Sequence, residues 1–247
     1  MRQKLLIKSG NFFFKLRNAL FPLFIVSLLL FTKPGLFLEN ETADKLAVGA
    51  GFITALLGVV FRCIVIGFAY IKRGGRDGKV YAENLVTKGF YNHVRNPMYI
   101  GNFLILTGLG MIYGSIYVYI AVIPLFAFIY LSIVITEENY LRGHFGKEYE
   151  EYCKRVPRFM PNLSGLKESL KEFHYDWRKA IRKDYGTFFG TIVGCYAILL
   201  IKKRLLYEFP RNINDITGPL IVFLLLAAGY ILLRFLKKRG KLKQSAG

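Results

Sequence analysis

The sequence predicts an all-α, multi-pass transmembrane helical bundle of about five or six spans, with a helix–turn–helix lid on the cytoplasmic side. Three observations carry that prediction. Hydrophobic residues make up 53% of the 247, aromatic residues 16%, and the mean hydropathy is +0.34. Several near-continuous apolar runs approach the ~20 residues that cross about 30 Å of hydrocarbon as a helix. The Lys and Arg residues, Arg62 excepted, sit at the ends of those runs, as membrane topology requires.

The net charge of +19 would suit nucleic acid, but no recognition motif accompanies it. Basic residues flanking spans instead suit an anionic lipid surface, at about 1 kcal/mol each. Cys63, Cys153 and Cys195 show neither paired nor metal-ligand spacing, so no disulfide framework and no metal site are expected. The basic start runs into an apolar segment without a small-residue cleavage site, so no cleavable signal peptide is expected.

Residues 1–18 carry Arg2, Lys4, Lys8, Lys15 and Arg17 and read as a cytoplasmic tail. The first span covers 19–38 and is interrupted by Lys33-Pro34, which ends or kinks it. A short polar loop leads to a second, glycine-rich span over 46–71. The loop 72–96 opens with Lys72-Arg73-Gly74-Gly75-Arg76-Asp77-Gly78, read as a mobile basic turn. Residues 97–135 suffice for two spans with a tight turn near Tyr113-Gly114-Ser115. A polar and aromatic stretch, 136–162, precedes a charged surface segment, 163–185. Apolar runs over 186–201 and 218–235 complete the chain, and the first is short enough to suggest a re-entrant segment. With the N-terminus inside, 28 basic residues fall on the cytoplasmic side and 6 outside. That asymmetry places both termini, and the two clusters described next, in the cytoplasm.

The first cluster precedes the third span. Pro97 fits the first turn of a helix, where its missing N–H has no partner to lose. His93, Arg95 and Asn96 therefore crowd a helix N-terminus, which favours anions. The second cluster is the carboxylate pair Glu137-Glu138, where the fourth span ends. Facing each other at a membrane surface, the two clusters would hold a small cationic cofactor. Leu141, Phe145, Tyr149, Tyr152 and Val156 recur at helical spacing beyond the acids, with Gly143 and Gly146 expected to break the helix into a lid. Gly108-Leu109-Gly110 serves either close helix packing or the approach of a flat ligand. Arg62 lies about 14 Å deep by helical rise, a depth that points to a cavity or a carboxylate partner.

The order of these pieces is specific: G-F-Y-x-x-V-R-N-P-M-Y-x-G over 89–101, a GxG, then E-E-x-x-L-x-x-x-F-G-x-E-Y-x-x-Y-x-x-x-V-P-R-F-x-P over 137–161. It resembles the isoprenylcysteine carboxyl methyltransferase family and its relatives, the membrane phospholipid methyltransferases, over 85–161. The resemblance implies an S-adenosylmethionine site beneath a cytoplasmic lid. Cofactor contacts are expected from Tyr91, His93, Arg95, Asn96, Pro97, Tyr99, Gly108, Gly110, Glu137 and Glu138, and lid or substrate contacts from Tyr149, Tyr152, Arg155 and Arg158. Arg95, Asn96, Glu138 and Arg62 are expected to serve the reaction, with Arg62 and Arg95 also as partners for an anionic head group. On this reading 1–84 are N-terminal membrane spans, 85–161 the methyltransferase core, and 162–247 a surface segment with the last spans.

Asn96 departs from the family's usual histidine. An amide donates and accepts hydrogen bonds but carries no proton charge. An ionised carboxylate or phosphate oxygen needs no base, whereas an ammonium must first lose a proton. The expected acceptor is accordingly an oxygen of a lipid or lipidated molecule, with no nucleic-acid partner. Two rival readings of the same scaffold are a sterol-type reductase using a nicotinamide, and a small transporter or scaffold. The absence of an internal repeat weighs against a transporter.

Overall fold

The computed structural model describes residues 2–16, 19–68, 73–76, 79–171, 174–206 and 213–241. It is an all-α bundle, with one small hairpin among the described residues. The chain opens with α1 (Arg2–Leu16) and α2 (Leu20–Phe31). The expected polar tail is thus a helix, and it packs along the span that ends in the twin acids. The Thr136 hydroxyl donates to the Ile7 carbonyl at 3.3 Å, and Phe14 enters the main core. Gly10 lies so close to the Ser132 carbonyl that a Cβ would come within 2.1 Å of it. Gly10 and Phe14 are buried at helical spacing while Lys8 and Lys15 stay exposed, so this is an amphipathic face rather than a tail. Arg17 lies outside the described residues.

The first apolar span stops at Phe31 rather than reaching 38. Pro34 cannot continue a helix and disfavours helical backbone before it. Tyr113 ties off this end by donating to the carbonyls of Leu28 and Thr32 at 3.1 and 2.8 Å. Next comes α3 (Glu41–Phe68), a 28-residue helix. Where a mobile basic turn was expected, β1 (Arg73–Arg76) pairs antiparallel with β2 (Lys79–Ala82), Arg73 opposite Ala82. Lys72, Asp77 and Gly78 of that turn lie outside the described residues.

α4 (Pro97–Tyr113) begins at Pro97 as expected and ends on Gly114, whose φ of +76° favours glycine. A π-helical turn, Val118–Val122, leads into α5 (Ile123–Phe145). Gly146 then separates α5 from α6 (Lys147–Arg155), giving the helix–turn–helix lid. Gly143 does not break the chain; it lies within α5. The remaining helices are α7 (Leu166–Lys171), α8 (Trp177–Leu206) and α9 (Asn214–Lys238). Among the described residues, α3, α5 with its preceding turn, α8 and α9 are long and apolar enough to cross a membrane, and α4 is a shorter apolar helix.

The run over 186–201 belongs to a 30-residue helix rather than a re-entrant segment. Two charged residues flanking this run find partners on α3: Asp184 pairs with Arg62, and Lys202 with Asp44. α3 also crosses α4 at small residues. A Cβ on Gly108 would come within 2.4 Å of the Gly51 carbonyl, and one on Gly58 within 2.6 Å of the Gly101 carbonyl. Such close contact replaces the hydrophobic drive that lipid does not supply between membrane helices.

Candidate functional site

The entrance of α4 and the exit of α5 meet. Pro97 occupies the first turn of α4, and Asn96 stands at its N-cap position. The Asn96 side chain does not cap the helix. Instead its Nδ2 donates to Glu138 Oε1 at 3.1 Å and to the Arg158 carbonyl at 3.4 Å. One turn along α4, the Tyr99 hydroxyl donates to Glu137 Oε1 at 2.9 Å. Asn96, Glu137 and Glu138 are all buried, at 3, 8 and 3% exposure, so these contacts are made away from bulk water.

Glu138 is the hub. Arg158 closes on it with Nε 3.1 Å from both carboxylate oxygens and Nη2 2.7 Å from Oε2. Arg95 stands 3.6 Å from Oε1 and donates from Nη1 to Cys153 Sγ at 2.6 Å. The Arg95 amide also donates to the Pro157 carbonyl at 2.9 Å, binding the segment after α6 to the entrance of α4. Hydrogen bonding to Glu138 raises the Arg158 guanidinium above its ordinary range, partly opposed by desolvation.

The stripe expected along the lid is present. Leu141, Tyr149, Tyr152 and Val156 are buried in one cluster with Ala82, and Phe145 packs against it. The Tyr152 hydroxyl donates to the Tyr91 carbonyl at 2.6 Å, so the lid rests on the Gly89–Asn92 turn. Tyr91 and Tyr149 are buried beside this contact, whereas Arg155 is exposed.

Other expected site residues lie elsewhere. His93 is buried with Nδ1 2.6 Å from the Asn162 carbonyl and Nε2 2.9 Å from Ser169 Oγ. A carbonyl only accepts, so Nδ1 donates to Asn162, and Nε2 shares a hydrogen bond with the Ser169 hydroxyl. Both ring nitrogens are therefore engaged in docking α7, and neither replaces the missing histidine at Asn96. Gly108 and Gly110 lie further along α4, about 16–20 Å from its start by helical rise. Gly108 meets α3, and a Cβ on Gly110 would press Val118 at 2.8 Å. Arg62 donates from Nε to Asp184 Oδ2 at 3.0 Å and also bonds Asn102 and Thr187. Its charge is matched within the protein rather than offered to a head group.

Five side-chain partners escaped the sequence reading: Cys153, Asn102, Asp184, Thr187 and Ser169. None stands in a motif, and each becomes visible only when distant segments pack. A weak signal existed for Asp184, an acid just ahead of an apolar run in a chain already holding one deep arginine.

The family model for phospholipid methyltransferases matches residues 47–148, the stretch that holds α4, α5 and the twin acids. The Cobalt-zinc-cadmium resistance protein CzcN of Cupriavidus metallidurans is 39% identical over 82 residues, 33% of this chain and 38% of that one. The Nickel-cobalt-cadmium resistance protein NccN of Alcaligenes xylosoxydans xylosoxydans is 30% identical over 122 residues, covering 49% and 55%. The Protein-S-isoprenylcysteine O-methyltransferase of Schizosaccharomyces pombe is 30% identical over 164 residues, covering 63% and 61%. The chain thus spans from about two-fifths to three-fifths of the length of these curated relatives. No solved structure matches it. Over residues 47–148, the chain is similar to the phospholipid methyltransferase family.

Proposed function

We propose that this integral membrane protein transfers a methyl group from S-adenosylmethionine to an oxygen of a lipid or lipidated acceptor at the cytoplasmic face. The observation that carries the reading is the meeting of Asn96 with Glu138 and of Tyr99 with Glu137, at 3.1 and 2.9 Å. These contacts join two motifs some forty positions apart within the family-matched segment.

The residues present fit such a donor. Two buried carboxylates suit its cationic groups, and the Arg95 Nε is buried with no hydrogen-bond partner among the described residues. That spare donor suits a carboxylate. When bound, the donor supplies a methyl group on an already activated sulfonium. Everything else falls to positioning and the exclusion of water. Glu137 and Glu138 would hold the cationic and hydroxyl groups, Tyr99 would fix Glu137, and Arg95 with Asn96 would fix Glu138. Arg158 enters from the segment after the lid helix and would secure the site from above.

No general base is needed for an ionised oxygen acceptor, and the site provides none at Asn96. Its amide protons go to Glu138 and the Arg158 carbonyl. His93 is committed to Asn162 and Ser169. The test is to incubate the purified full chain with methyl-labelled donor and total membrane lipid, then identify the labelled product. A base-stable ether or an N-methylated amine would contradict the oxygen-acid acceptor; a base-labile methyl ester would support it.

A further inference from the structure

Lys88 and Arg155 face a single hollow of about 210 Å³ whose remaining walls are Thr87, Gly89, Asn92 and Ser169. No carboxylate among the described residues lines it. Among the described residues neither of these two cations makes an ion pair, whereas Arg62, Arg95, Arg158 and Lys202 are each matched to an acid. Two uncompensated cations on one concavity repel each other until an anion sits between them.

The hollow is built, not a gap between loose surfaces. His93 clamps α7 against the Gly89–Asn92 turn through Asn162 and Ser169. Tyr152 fixes the same turn to the lid. Phe90 and Tyr91 pack with Val65, and Leu166 and Leu170 close over them. The Ser169 hydroxyl is hydrogen-bonded to His93, so Ser169 forms a wall. The donors left for a ligand are Lys88, the forked guanidinium of Arg155, Asn92 and Thr87. That set suits a tetrahedral oxyanion.

Its level in the molecule favours a membrane source. The same turn packs on Val65, near the C-terminal end of α3. At that end the Tyr175 hydroxyl donates to the Cys63 carbonyl at 3.4 Å, and the next helix starts with exposed Trp177. Tyr and Trp concentrate where hydrocarbon gives way to head groups.

We propose that the hollow between Lys88 and Arg155 binds a phosphate group, carried by a lipid head group or by a soluble phosphate compound. It is separate from the Glu137–Glu138 cluster and needs no methyl transfer. The test uses the detergent-solubilised full chain and calorimetric titration with dihexanoyl phosphatidic acid and, separately, with inorganic phosphate. Wild type is expected to bind the lipid saturably. The double variants Lys88→Glu with Arg155→Glu, and Lys88→Gln with Arg155→Gln, should weaken it at least tenfold. Arg142→Glu with Lys147→Glu, an equal charge change at exposed positions away from the hollow, should stay within twofold. Binding of inorganic phosphate with the same pattern assigns a soluble source to this site, and binding of the lipid alone assigns a membrane source. Failure of wild type to bind either probe, or equal loss in the control variant, overturns the proposal. Methyl transfer is not read, so its failure leaves this result intact.

Discussion

Asp44 on α3 and Lys202 on α8 are buried together, with Lys202 Nζ 2.5 Å from Asp44 Oδ1 and 3.2 Å from the Ile112 carbonyl. Arg62 and Asp184 form a second pair between the same two helices, eighteen positions along each. At each end one helix gives the acid and the other the base, and the order reverses between ends. The two pairs fix both the direction and the register of α8 on α3. Removing one partner of a buried pair strands the other, at about 3–5 kcal/mol. Lys202→Ala should therefore lower the unfolding midpoint in detergent strongly. Asp44→Leu with Lys202→Met should recover most of the loss. Equal losses in the single and double variants would show that the pair is not the cause.

Gly108 separates the packing role of a glycine from a cofactor role. A Val side chain there would press into the Gly51 carbonyl and Ala55, which stand within 2.8 Å of where its Cβ would fall. Overpacking of this kind costs about 1–3 kcal/mol. Gly108→Val should lower thermal stability while the folded fraction keeps its donor affinity. Loss of affinity at unchanged stability would return Gly108 to the binding site.

Asn96→Asp sets a third carboxylate against Glu138 and removes the amide donor. Losing a hydrogen bond to a buried charged group costs about 1–3 kcal/mol, and like-charge repulsion adds to it. Donor affinity should fall tenfold or more at pH 7.5, measured by equilibrium binding. Unchanged affinity would show that Asn96 does not set the state of Glu138.

The Arg158 guanidinium is raised above its ordinary value, mainly by its hydrogen bond to Glu138. A raised cation contributes its stabilisation fully below the unfolded value and loses it only above the folded one. Its own titration therefore adds no slope anywhere in the working range. Stability curves of wild type and Arg158→Ala should run parallel between pH 6 and 9, separated by about 1 kcal/mol or less because the side chain is partly exposed. Donor affinity should drop in the variant. Curves that converge within this range would contradict the assignment.

Much of the site was legible in the order of residues. Pro97 marks a helix start by its own chemistry, and the spacing of Leu141, Tyr149, Tyr152 and Val156 names one face of a lid. Gly114 announced the turn between the two helices. The rest was hidden by charges whose partners are distant in sequence. Lys8 and Lys15 interrupt the apolar count of α1, although its buried face at Gly10 and Phe14 is regular. Asp184 and Lys202 made α8 look short, because composition scores a charge as exposed and cannot see Arg62 or Asp44. His93 stood beside the site in the chain, yet its ring turns towards Ser169, seventy-six positions on.

The most direct test of the donor site is equilibrium binding of labelled S-adenosylmethionine to the full chain in lipid nanodiscs, comparing wild type with Glu137→Gln and Glu138→Gln. Saturable binding by wild type, weakened tenfold or more in both variants while their unfolding midpoints stay within a few degrees, is the predicted result. Affinity unchanged by either substitution, in well-folded protein, would contradict the account.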